Sequence, residues 1–271
     1  MAFPNKKPPV NIFEEFGKQL RQKNANPDIN AYVPHPKQVQ FHSANVRRRL
    51  FIGGNRSGKT VAGGVETIKV LTRKHEFIKW DPYTTIHGRG CAVDFLQGVS
   101  KIMVPMIARW LPPSELINGS WEDSYSKSAR TLTLANGNDM EFLSYDQELE
   151  KFAGTSRHFI WYDEEPPKDI YDECQLRLLD TKGYSWATMT PIEGMTWIYD
   201  DLYLPGLDPN NPTSYTVEVS TDDNPNIDIK FAEENIFANL DEDSKKARRH
   251  GKFIQRAGLI YPHFSVANNV R

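Results

Sequence analysis

Residues 53–60 read Gly53-Gly54-Asn55-Arg56-Ser57-Gly58-Lys59-Thr60, the pattern G-x-x-x-x-G-K-[ST], and they follow directly on the apolar run Leu50-Phe51-Ile52. A buried strand that feeds a glycine-rich turn and then opens a helix aims successive backbone N–H groups and the helix N-terminus at a polyphosphate. In such a loop the Lys59 ammonium reaches the β- and γ-phosphates and the Thr60 hydroxyl helps to hold Mg²⁺. The pattern therefore predicts ATP and Mg²⁺ as ligands, with residues 53–60 as the cradle. A second constellation reads His158-Phe159-Ile160-Trp161-Tyr162-Asp163-Glu164-Glu165. An apolar run ending in acids is how a central parallel strand delivers carboxylates to the carboxyl edge of a sheet. Asp163 is the candidate metal ligand, and Glu164 the candidate base that orients and deprotonates a water attacking the γ-phosphate.

The elements that must position these groups are legible around them. Val61, Val65, Ile68 and Leu71 share one helical face behind the loop, and Gly63-Gly64 within that helix implies close approach to a sheet. Cys91-Ala92-Val93 and residues 184–190 read as strands, and residues 102–111 as a helix ending at Pro112-Pro113. Thr131 to Leu134 and Met140 to Leu143 flank an Asn136-Gly137 turn and predict a hairpin. Strands alternating with helices predict an α/β fold with a mostly parallel sheet flanked by helices. The long separation of Lys59 from Asp163 leaves room for an intervening strand, as in the additional-strand, RecA-like type of P-loop NTPase. Thr188 and Thr190, at the end of a downstream strand, are then placed to sense the γ-phosphate and couple its loss to motion.

Upstream, Gln38 opens a helix, and its amide could meet both N6 and N7 of adenine. Ile12, Phe13, Phe16 and Leu20 suggest a short amphipathic helix within a polar arm. Downstream, Asp222 to Asn226 form a turn cluster, and Ile229, Ala232, Ile236, Phe237 and Leu240 space as one helix of a small lid subdomain. The expected organisation is an arm over residues 1–30, a phosphate-loop core over 31–213, a lid over 214–257 and a linker over 258–271.

Composition narrows the class. The chain has 271 residues, 39% of them hydrophobic and 25% charged, enough for a substantial core. No apolar run approaches the roughly 18 residues of a membrane span, and the first residues lack the apolar stretch of a signal peptide, so a cytosolic protein with no membrane partner is expected. Cys91 and Cys174 lack metal-ligand spacing and read as reduced thiols. With a net charge of −2, contact with nucleic acid must be confined to local clusters. Arg47-Arg48-Arg49 and the run Lys245, Lys246, Arg248, Arg249, Lys252 and Arg256 are the candidates.

These motifs in this order resemble the N-terminal ATPase domain of the large terminase subunit, the DNA-packaging motor of tailed bacteriophages. The resemblance runs from Gln38 to about Phe264. It includes Asp146-Gln147 with Lys151-Phe152-Ala153-Gly154-Thr155, then Trp161 to Pro167, and Thr188-Met189-Thr190-Pro191 continuing into Gly194-Met195-Thr196-Trp197. It implies that Gln38 contacts adenine, Lys59 and Thr60 hold phosphate and Mg²⁺, Asp163 supports the metal, Glu164 is the catalytic carboxylate, and Thr188 to Thr190 couple hydrolysis to movement. It implies as partners double-stranded DNA, a portal protein, a small terminase subunit and further copies of the chain in a ring. The implied location is the host cytoplasm, docked transiently on a procapsid. Many family members carry an arginine where this chain has Ala153. Arg56 is therefore the candidate charge-neutralising arginine in cis, and Arg130 and Arg157 are candidates serving a neighbouring subunit. The family usually continues into a nuclease domain, expected to be absent here. A stand-alone helicase-like or repair ATPase, a small-molecule kinase and a non-hydrolysing scaffold are the rival classes. The absence of a second phosphate loop weighs against the first, and Glu164 against the second.

Overall fold

The computed structural model describes residues 28–254. The helix expected around Ile12 to Leu20, Arg256 and the linker lie outside them. An eight-stranded sheet has the order β3-β4-β5-β2-β6-β7-β1-β8. Its strands are β1 (Arg48–Gly53), β2 (His87–Ala92), β3 (Tyr125–Ser126), β4 (Thr131–Thr133), β5 (Asp139–Ser144), β6 (Phe159–Asp163), β7 (Tyr184–Met189) and β8 (Ser214–Val219). All neighbouring pairs from β5 to β8 in that order are parallel. Only β3 and β4 run against their neighbours, closing one edge as the predicted hairpin, with Leu132 opposite Met140 and Gly137 at φ 83 in the turn.

The alternation of side chains along the central strands builds two cores. Phe51, Trp161 and Trp186 point to one face, where they meet Ile68 and Leu71 of helix α2 (Lys59–Leu71), which follows α1 (Pro36–Ser43) in the chain. Leu50, Ile52, Ile160, Tyr162, Ala187 and Met189 point to the other, against Ile170 and Cys174 of a later helix. Each central strand is covered on both sides, which is why β1 and β6 read as continuous apolar runs rather than alternating ones. The glycine pair in α2 has a defined purpose: a Cβ on Gly63 would overlap the indole nitrogen of Trp161. The helical stretch predicted at 102–111 begins earlier, as a wide turn over Phe95–Met103, and continues as α3 (Val104–Trp110). The helix on the second face is α4 (Lys168–Leu176).

Three expectations are corrected. Residues 214–219 belong to the sheet, because β8 pairs in parallel with β1 from Arg48↔Ser214 to Gly53↔Val219, so the core extends past residue 213. The single lid helix is instead α5 (Ile229–Asn235) followed by a short turn over Phe237–Asn239. The break falls at Ile236 (φ −124), where the Asn235 amide takes up the Phe231 carbonyl and Phe237 is turned inward. A further helix, α6 (Glu242–Arg248), follows.

The third concerns the basic clusters. Arg49 is buried and bonds Glu66, which also accepts from His42 (2.6 Å) and His75 (2.6 Å). Burial alone would raise the Glu66 carboxyl, yet Arg49 and the two imidazoles hold it well below the usual range. Arg49 is a core residue and unavailable to DNA. The run along α6 is largely neutralised internally, by Lys245–Glu242 (3.6 Å), Lys246–Asp243 (3.1 Å), Arg249–Asp222 (3.1 Å) and Lys252–Glu218 (2.6 Å).

Candidate active site

The loop after β1 and the acids after β6 meet at the carboxyl edge of the sheet. Strand β7 lies between them, so the intervening strand expected from the sequence is one that follows both motifs in the chain. Gly58 adopts φ 91 at the entry to α2 and Arg56 adopts φ 60, two left-handed residues that curl the loop back over its own N–H groups. The Lys59 ammonium donates to the Gly54 carbonyl (2.6 Å) and is buried. Burial lowers its pKa, while Glu164 and Asp163 pull in the opposite direction.

On the acid side, Asp163 Oδ1 accepts from Thr188 Oγ1 (2.9 Å) and Thr60 Oγ1 (3.3 Å). The Trp161 indole N–H donates to Thr188 Oγ1 (2.8 Å). A threonine hydroxyl has a single proton, so the incoming indole N–H leaves that proton to point at Asp163. Burial pushes the Asp163 carboxyl up to about 7, with Glu164 adding to it and the bonds from Thr188 and Thr60 and the charge of Lys59 opposing.

Glu164 leaves the strand at φ 66, in the left-handed region that is costly for a residue with a side chain. Three contacts hold it there. Its N–H donates to the Thr188 carbonyl (2.9 Å), its carbonyl accepts from the Tyr145 hydroxyl (3.1 Å), and its carboxylate accepts the Thr190 N–H (2.9 Å). Burial raises its pKa, against the Thr190 bond and Lys59. Thr190 Oγ1 in turn reaches Asn55 Oδ1 in the loop (3.4 Å). Thr188 therefore touches the first acid, and Thr190 touches both the second acid and the phosphate loop.

Among the described residues no group of three or more His, Cys, Asp or Glu side chains could hold a metal by itself. That suits Mg²⁺ at a nucleotide, which commonly takes one or two protein oxygens and completes its shell with phosphate and water. Thr60 and Asp163 supply hard oxygens side by side, and a buried carboxyl whose pKa is raised gains from a cation beside it. The residues fit the ion.

Other predicted members are placed differently. The Gln38 amide is engaged at both ends: Oε1 accepts the His35 N–H (3.1 Å) and Nε2 donates to the Gly58 carbonyl (3.0 Å). A cavity of about 350 Å³ opens beside it, lined by Tyr32, Val33, His35, Trp110, Pro225 and Asn226 among others. Arg157 precedes β6 at the opposite, amino edge of the sheet, with its guanidinium on Glu141 (2.6 Å) and only 12% of its side chain exposed. It is bound within its own chain, which counts against the role in trans. Arg130 stands before β4, whose antiparallel course puts it towards the carboxyl edge, stacked on Phe95 at 3.8 Å. Arg56 is exposed at the loop's tip. Sequence reasoning missed Tyr145 and the indole N–H of Trp161. Trp161 lies inside the acidic motif and Tyr145 directly precedes Asp146-Gln147, but neither position marks its side chain as a donor.

Comparison with known proteins agrees with this geometry. A family described as terminase large subunit, T4likevirus-type, N-terminal, matches residues 120–267. The terminase large subunit of Salmonella phage P22 is 31% identical over 270 residues, covering 85% of this chain and 52% of that protein. This chain thus spans about half the length of that curated relative. The large terminase ATPase domain of Thermus phage P74-26 superposes with a TM-score of 0.61 at 16% identity, covering 92% of this chain and all of the other (100%). The large terminase of another thermophilic bacteriophage gives 0.64 at 14% identity, with 87% of this chain and 57% of that one covered. The two solved structures share the fold, an α/β P-loop NTPase of the RecA-like type.

Proposed function

Since this chain belongs to the terminase large subunit family, N-terminal part, we propose that it is an ATP hydrolase that drives double-stranded DNA into a viral procapsid. The observation that carries the reading is the junction at the end of β7, where Thr188 bonds Asp163 and Thr190 bonds Glu164 and Asn55. ATP is the substrate, its phosphates cradled by residues 53–60. The Lys59 ammonium leaves the Gly54 carbonyl for the β- and γ-phosphate oxygens, and Arg56 is the candidate for charge developing at the γ-phosphoryl group. Mg²⁺, held by Thr60 and Asp163, supplies neutralising charge to those oxygens when bound. Glu164 orients a water and takes one of its protons. A bond forms from that water oxygen to the γ-phosphorus, the bond from the γ-phosphorus to the β–γ bridging oxygen breaks, and ADP and phosphate result. Burial raises the Glu164 pKa, which makes the carboxylate a better proton acceptor than an exposed one.

Loss of the γ-phosphate is felt first by Glu164 and Asn55, and through Thr190 by β7. The region after β8, carrying α5 and α6, is the lid that this displacement would move. Partners under this reading are duplex DNA, a portal protein, a small terminase subunit and further copies of the chain in a ring, working in the host cytoplasm on a procapsid. Arg130 is the remaining candidate for an arginine supplied to a neighbour. Glu164→Gln should retain ATP binding and lose steady-state hydrolysis. Undiminished turnover in that variant would remove the catalytic assignment. Turnover that required an added acceptor hydroxyl would identify a kinase, and strand displacement on a tailed duplex would identify a helicase.

A further inference from the structure

A loop binds anions only when its N–H groups converge, and they converge only if its carbonyls are turned outward and kept there. Here every carbonyl from Gly54 to Gly58 receives a side-chain donor. Gly54 O accepts from Ser57 Oγ (2.7 Å) and Lys59 Nζ (2.6 Å). Asn55 O accepts from Thr221 Oγ1 (2.7 Å), and Arg56 O from Asn224 Nδ2 (2.6 Å). Ser57 O accepts from His35 Nε2 (3.0 Å), and Gly58 O from Gln38 Nε2 (3.0 Å). Apart from Ser57 and Lys59 of the loop itself, the donors come from two flanks. Thr221 and Asn224 stand just after β8, while His35 and Gln38 stand at the start of α1 and are bonded to each other.

We propose that His35, Gln38, Thr221 and Asn224 are positioning residues that hold the phosphate cradle open from both sides, and that Gln38 sets affinity for the polyphosphate rather than choice of base. The inference rests on the reading that residues 53–60 take a polyphosphate. Gln38 is almost fully buried and its amide oxygen and nitrogen both serve the clamp, so a base in the neighbouring cavity meets an amide already committed. His35 Nε2 donates to a carbonyl, which fixes the neutral ring as the Nε2–H form. Arg56 occupies the left-handed region, and the Asn224 bond falls on its carbonyl, where it opposes relaxation of that peptide. The same two bonds attach the segment after β8 to the loop, as does the Asn55 N–H donated to the Arg248 carbonyl (2.5 Å). Shifting that segment frees the carbonyls of Asn55 and Arg56, and with them the orientation of the N–H groups that follow.

The test is calorimetric titration of the full chain with Mg-tripolyphosphate and with MgATP, for wild type, Gln38→Met, Thr221→Val and Asn224→Ala. Losing one donor to a loop carbonyl should weaken both ligands by the same factor, about five- to tenfold. Thr221→Ser, which keeps the hydroxyl, should restore binding, a rescue that mere loss of packing would not give. KM for ATP should rise by more than kcat falls. Gln38→Met weakening ATP while leaving tripolyphosphate untouched would show a base reader and overturn the assignment. Unchanged affinities in Thr221→Val and Asn224→Ala would overturn the other flank. Wild-type chain that takes up neither ligand would instead bring down the phosphate-loop reading on which the inference rests.

Discussion

Asp163→Asn should make the protein more stable without metal while destroying its use of metal. The folded environment pushes the Asp163 carboxyl from its ordinary 3.8 up to about 7, chiefly by burial and then by Glu164. At pH 5 the folded state holds this proton while the unfolded state has largely released it. Between 3.8 and about 7 the folded chain therefore binds more protons, and stability falls as pH rises through that window. At about 1.4 kcal/mol per pH unit, the full cost of ionising the folded group, reached at pH 8, is about 4 kcal/mol, and at pH 5 it is about 2 kcal/mol. Asparagine removes the charge and keeps an oxygen to accept from Thr188 and Thr60. Urea unfolding in chelator at pH 8 should show Asp163→Asn more stable by up to about 4 kcal/mol, with the advantage roughly halved at pH 5. Adding Mg²⁺ and a nucleotide should reverse the order, because wild type is stabilised by mass action and the variant is not. A variant equally or less stable than wild type at pH 8 in chelator would refute the account of a carboxylate held at a cost in wait for a cation.

Because Mg²⁺ must displace the Asp163 proton, half-saturating Mg²⁺ in a metal titration of the wild type should rise about tenfold from pH 8 to pH 6. Trp161→Phe keeps the ring in the core but drops the N–H to Thr188. It should cost about 1–3 kcal/mol in thermal unfolding and weaken Mg²⁺-dependent turnover, and intact turnover would make the indole bond incidental. Gly63→Ala forces a Cβ into the Trp161 ring and should destabilise by about 1–3 kcal/mol, a loss that the double variant with Trp161→Phe leaves in part, as measured by a double-mutant cycle. Arg157→Ala should lower stability through Glu141 and leave ATP turnover per subunit unchanged in mixed assemblies, whereas a dominant loss of turnover there would return it to the inter-subunit role.

The legible part of this chain is the part in which neighbours in sequence are neighbours in space. The phosphate loop, the runs Leu50 to Ile52 and Phe159 to Tyr162, and the Asn136-Gly137 hairpin carry their own local chemistry, and each forms as the residue pattern dictates. What stayed hidden depends on distant partners. Ser214–Val219 pairs with β1, a partner far away in the chain, and its place in the sheet was missed although Tyr215, Thr216, Val217 and Val219 are residue types that favour strands. Arg49 looked like one of a solvated trio until Glu66, on a helix beyond the loop, met it in the core. The Gln38 amide has the right shape for a base edge, and its bonds to the Gly58 carbonyl and the His35 N–H are contacts that its sequence position does not announce. In the site itself the charged groups were evident, and the neutral donors that aim them, Trp161, Tyr145, Thr221 and Asn224, were not, since indoles, hydroxyls and amides occur everywhere and carry no spacing rule.

The insertion of β7 between β1 and β6 has a metric consequence. Two inter-strand steps separate the strand that leads into the glycine-rich loop from the acid-bearing one, a gap of roughly 9–10 Å set by backbone hydrogen bonding. No side-chain change can narrow that gauge. The range of intergroup distances open to the chemistry is thus inherited from the weave of the sheet, and tuning is left to the few residues at the tip of the middle strand, of which Thr190 reaches both banks at once.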